Sequence, residues 1–170
     1  MSTKSDSLKE KVLKAQSEGD IASLYMLEAE ANEILKEQEL LAFYANILEL
    51  AMENLTNGLE QIKRFKLDDV QDYSTLRALY EYALEHYSAK KPNDAAALFE
   101  ILEGLSDDEN FSKAMRIHRL SANNNFSFEE FLEDIADVEK AQNEGIFYIS
   151  IFSDKAHHLL NIAQVSEGIR

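Results

Sequence analysis

The stretch LYEYALEHYSAKKPNDAAALFEIL, residues 79–102, carries two apolar stripes at helical spacing with a single interruption. With Leu76 just upstream, Leu79, Tyr80, Ala83 and Tyr87 recur at the intervals that gather side chains on one helix face. Ala95, Leu98, Phe99 and Leu102 repeat the pattern after the break, and the break itself, Lys91-Pro92-Asn93-Asp94, is turn punctuation. Two helices joined by a tight turn is the expected unit.

The same pattern extends in both directions. Ile21, Leu24, Leu27, Ala31 and Leu35 form one stripe, Leu40, Phe43, Tyr44, Ile47 and Ala51 another, and Phe128, Phe131, Leu132, Ile135 and Val138 a third. Polar turns begin at 19, 57, 91 and 123, which are 38, 34 and 32 residues apart, with a second series between them near 37, 70, 107 and 144. Two interleaved series predict an all-α chain of about eight or nine helices in consecutive antiparallel hairpins, a short α-solenoid. A compact helical bundle is the alternative, since helices of ordinary length also place turns at about this interval.

On particular residues, 79–102 resembles a tetratricopeptide repeat, the two-helix unit in which small side chains let the helices approach. Ala83 takes the small position of the first helix, and Ala95 and Phe99 match the small and aromatic positions of the second. Leu79 stands where the family usually has Trp, Tyr82 where it has Leu, His86 where it has an aromatic, and Asp107 where its closing Pro falls. The resemblance covers about one unit. It implies a TPR-like solenoid with a concave, partner-binding face.

The chain reads as one domain over 1–170, with residues 1–6 flexible and 145–170 a C-terminal capping helix. In the last segment, GIFYISIFSDKAHHLLNIAQV alternates β-branched and aromatic residues as a strand does. Ile149, Phe152, Ala156, Leu159, Leu160 and Ala163 nevertheless form a helical stripe, and length favours the helix. Its broad apolar coverage predicts that it is sandwiched, either on the last hairpin or in a homo-oligomeric contact.

Composition narrows the partners. With 32 acidic against 17 basic residues the formal charge is −15, which repels nucleic-acid phosphates and anionic lipid headgroups. The dense basic group Lys63, Arg64 and Lys66 is followed at once by Asp68 and Asp69, and reads as a helix C-terminus. Zero Cys excludes disulfides, thiolate chemistry and Cys-ligated zinc, and suits a reducing cytoplasm. No apolar run has membrane-spanning length, and the charged N-terminal residues lack a secretory pattern.

Few residues invite a chemical role. NNNFSFEEFLEDI, residues 123–135, looks like the end of a calcium loop, but a loop closed by Glu130 begins at Arg119, a cation in the first ligand position. Ser127 with Glu130 three residues on is a capping box, and Phe126 with Phe131 a hydrophobic staple. Asp154, His157 and His158 are the metal candidates, because a carboxylate and an imidazole one helical turn apart can share an ion. No catalytic motif and no cofactor-binding motif is present.

These readings lead to a cytoplasmic protein–protein interaction or adaptor module without catalytic activity, whose partner carries a basic segment. Tyr80 and Tyr87 are candidate groove residues, and Glu133, Asp134 and Asp137 form a candidate anionic ridge on a helix running from 129 to 144. The alternative is a small helical-bundle metal protein or enzyme whose Asp, Glu and His ligands converge only in space.

Overall fold

The computed structural model describes residues 3–168. The fold is all-α, and among the described residues the one β feature is an isolated antiparallel bridge between Ala136 and Phe152. In order come α1 (Lys4–Ser17), α2 (Ile21–Met26), α3 (Glu28–Ile34), α4 (Glu37–Glu60), α5 (Val70–Ser88), α6 (Pro92–Leu105) and α7 (Glu109–Asn123). A short α8 (Phe128–Glu130) runs into a π-helical turn, Phe131–Ile135, before α9 (Val138–Glu144) and α10 (Asp154–Gly168).

Most starts are set by side-chain caps that satisfy amides left without an intrahelical partner. Thr3 and Asp6 form a reciprocal box on α1, so the helix is established from Lys4, within the segment expected to be flexible; Met1 and Ser2 lie outside the described residues. Asp20 caps α2, Asp69 caps α5, Asp108 caps α7 and Asp137 caps α9. Ser127 and Glu130 make the expected capping box on α8.

The chain falls into two compact units, Met1–Leu79 and Tyr80–Arg170, where the sequence offers one domain. The division passes through α5, so no Gly, Pro or polar linker marks it. In the first unit α1 packs on α2 and α3, and both of these pack on α4. Its core includes Leu8, Ile21, Leu24, Phe43, Ile47 and Phe65, each buried. In the second unit α7 packs on α6, α10 and the π turn, around Phe99, Phe111, Phe131 and Met115.

Three expected features differ from the fold. The turn expected at Asn57-Gly58 lies inside α4, which continues to Glu60. Gly58 is there for space, since a Cβ on it would stand 2.6 Å from a ring carbon of buried Phe65. The helix expected over 129–144 is broken: the Ala136 amide donates to the Phe131 carbonyl five residues back, and Ala136 itself is extended. The helix expected from 145 begins only at Asp154, while Ile169 and Arg170 lie outside the described residues.

Residues 145–153 are extended because their partners lie elsewhere in the unit. Gly145, at φ +68°, ends α9 in the left-handed region that glycine tolerates. Beyond it the Asp137 amide donates to the Ile151 carbonyl and the Ser153 amide to the Ile135 carbonyl. The alternating residues that resembled a strand are thus half of a two-stranded contact too short to count as a sheet.

Candidate functional site

A concavity of the first unit lies between α2 and the start of α5, a cleft of about 640 Å3. Its floor is a polar clamp. The Asp20 carboxylate accepts from the Ser23 amide at 3.0 Å, the Ser23 hydroxyl at 2.6 Å and the Gln71 side-chain amide at 2.7 Å. Gln71 returns a contact through its Oε1, which accepts from the Ala22 amide at 3.2 Å. The hydrogen bonds from Ser23, and then from Gln71, hold the Asp20 carboxyl below the usual carboxylate range.

One wall carries a stacked pair. The Arg77 guanidinium sits 4.0 Å from the Tyr25 ring centroid while its Nη2 donates to Glu28 at 3.2 Å. Two lining side chains are apolar and exposed, Met26 at 83% and Val70 at 67%. Leu67 and Tyr73 complete the apolar lining. A cleft lined by hydrogen-bonded polar groups and exposed apolar side chains offers both kinds of contact.

The residues selected from sequence are distributed differently. Tyr80 and Tyr87, expected in a partner groove, are core residues of the second unit, and this is a correction. The Tyr80 hydroxyl lies 2.7 Å from His118 Nε2 and accepts from the Ile149 amide at 3.1 Å, and its ring packs edge-on against His118, Phe147 and Tyr148. Tyr87 donates to the Phe126 carbonyl at 2.6 Å and packs against Phe99, Phe128 and Phe131. Both lie on the buried stripe of α5, and burial pushes both phenols up.

His118 stands between Arg116 and Arg119 on α7, and no motif in the sequence marks it. It is fully buried, ringed by Phe99, Phe131 and Phe152, and its Nδ1 lies 2.6 Å from the Ala114 carbonyl. A neutral ring with hydrogen on Nδ1 satisfies every contact: it donates to Ala114 and accepts from Tyr80 at Nε2. Burial pushes the imidazole down to about 4. This is a structural polar chain from α7 through α5 to the 145–153 segment.

The anionic ridge is divided among separate tasks. Glu133 is exposed on the π turn, Asp134 lies 3.7 Å from the Lys155 ammonium, and Asp137 caps α9. A continuous ridge on one helix, as expected, does not form. The metal candidates Asp154, His157 and His158 are all exposed on the first turns of α10. His157 lines a cleft of about 450 Å3 with Lys113 and Glu144, whereas Asp154 and His158 do not line it. Among the described residues no three potential metal-ligating side chains converge.

The calcium-like stretch is accounted for by helix chemistry. Arg119 lies within α7 and donates to Glu103 at 3.0 Å, and the Ser121 hydroxyl donates to the Ile117 carbonyl. No protein-family model, curated protein or solved structure matches the chain. No described helix is long and apolar enough to cross a membrane.

The cleft residues Met26, Val70 and Gln71 went unremarked in the sequence. Their signal was negative: Met26 and Val70 are large apolar residues lying off the stripes that identify the core. Such residues stand out only once the stripes are known to be the buried side.

Proposed function

We propose that this chain is a protein-interaction module in which the Met1–Leu79 unit receives a segment of a partner protein in the cleft between α2 and α5. The observation that carries the reading is the exposure of Met26 and Val70 on the two edges of one cleft. Exposed apolar side chains gain the most from being covered, about 1.5–3 kcal/mol for full burial of each. The Asp20–Gln71 clamp supports this by tying the start of α2 to the start of α5, so that little ordering cost falls on binding.

The charge of −15 favours a partner segment carrying Lys or Arg. The reading assigns the chain no catalytic step and places it in a reducing cytoplasm, which a Cys-free chain suits. Within it the 79–102 stretch remains a tetratricopeptide-like hairpin. Support comes from Ala83, Ala95 and Phe99, the three residues that match the family, each of which has no exposed surface.

A photoreactive amino acid in place of Met26, introduced in cells that make this protein, tests the proposal. The expected result is a discrete protein adduct that Val70→Asp suppresses, with none when the probe replaces exposed Glu81. No adduct at 26, or the same adducts at both positions, refutes it.

A further inference from the structure

We infer that α4 carries a second docking surface, a coiled-coil seam that takes a cationic amphipathic helix of a partner protein. The inference goes beyond the cleft between α2 and α5, because it rests on a different helix face. At 24 residues α4 is the longest of the described helices, and it already supplies a full core face through Phe43, Ile47, Ala51, Leu55 and Gly58. A helix that only covers a core needs one apolar stripe.

A second stripe runs beside the first. Leu41, Ala45, Leu48, Met52, Leu55 and Leu59 follow one another at intervals of four and three residues without interruption, the spacing of the two seam positions of a heptad. At 100° per residue this row is centred about 100° around the helix from the core stripe. Leu55 is the member the two rows share, and it is buried. Leu41 is 60% exposed and Leu59 58% exposed, Ala45 is exposed, and Leu48 and Met52 are half-buried. From Leu41 to Leu59 the seam is about 27 Å long, enough for a partner helix of about two and a half heptads.

Charge decides the occupant. The helix contains five Glu and neither Lys nor Arg, and Glu49, Glu53 and Glu60 stand exposed along the seam's solvent edge. Glu39 is already paired with Lys9 at 2.7 Å. A second copy of this chain would set one acidic edge against another and bring together two chains of −15. A helix with apolar seam residues flanked by Lys or Arg meets both the leucines and the glutamates.

The probe is a synthetic peptide of about three heptads with Leu at both seam positions and Lys at the flanking ones. Its binding to the full chain is followed by fluorescence anisotropy and peptide helicity, against a peptide of the same composition in scrambled order. Expected is tighter binding of the heptad peptide with a gain of helix. Leu41→Asp with Leu59→Asp should weaken it about tenfold or more. Glu49→Gln with Glu53→Gln should flatten its salt dependence, while Met26→Asp in the cleft leaves the affinity unchanged. The exposed sites of these substitutions let each variant keep its fold, which circular dichroism checks. Equal binding of the two peptides, no binding, or loss only with Met26→Asp overturns the inference. So does a dimer of the chain itself that Leu41→Asp with Leu59→Asp dissociates, since the occupant would then be a second copy.

Discussion

Substituting His118 by Gln should remove a specific acid sensitivity from the Tyr80–Arg170 unit. In the folded chain the imidazole stays neutral down to about 4, because its surroundings are Phe99, Phe131, Phe152 and the Tyr80 phenol, which offer no counter-charge. In the unfolded chain it takes a proton at its ordinary value of 6.5. Between those values only the unfolded state binds the proton, so falling pH favours unfolding. The stability that His118 contributes is fully present above 6.5 and is lost on the way down to about 4. At about 1.4 kcal/mol per pH unit, that window amounts to about 3 kcal/mol.

The Gln variant offers Tyr80 an acceptor near the place of Nε2 but gives up the contact with the Ala114 carbonyl, so it should be less stable at neutral pH by about 1–2 kcal/mol. On acidification the wild type loses stability that the variant does not. The difference should close and then reverse sign. Urea unfolding across this range measures it, and the many carboxylates titrate alike in both proteins and cancel. Two stability curves that stay parallel from neutral pH to about pH 4 would show that the buried ring is not held neutral by its surroundings.

Gly58→Ala gains about 1 kcal/mol of helix propensity but drives a methyl group to 2.6 Å from the Phe65 ring, so we expect net destabilisation and a lower thermal midpoint; an unchanged or higher midpoint refutes the packing role. Ser127→Ala removes the hydroxyl that accepts from the Glu130 amide and should cost about 1 kcal/mol in chemical unfolding, whereas a loss near zero would mean that the cap adds nothing. Added calcium should leave the thermal midpoint where it is, because the residues of the loop-like stretch are already committed to α7 and its pairs; a calcium-dependent rise abolished by Glu130→Gln refutes this.

Sequence periodicity sufficed for what is decided within a turn or two of chain. The stripes through Ile21, Leu24 and Ala31, and through Ala95, Phe99 and Leu102, are buried as their spacing requires. The Ser127–Glu130 box is a contact between residues three apart and forms as read. Such features depend on helix geometry, which the local sequence carries in full.

Tertiary structure decided the rest. The break at Ala136 and the extended run after Gly145 depend on bonds from Asp137 to Ile151 and from Ser153 to Ile135, while Ile149 reaches Tyr80 across 69 residues. Asn57-Gly58 had the composition of a turn, and only the approach of the Phe65 ring makes that glycine a helix residue. Tyr80 and Tyr87 could be placed on a stripe but not assigned to core or groove, because periodicity defines a face without saying what covers it. On α4 the core stripe through Phe43, Ile47 and Ala51 is read from spacing, whereas the exposure of Leu41 and Leu59 on the row beside it shows only once the helices are packed.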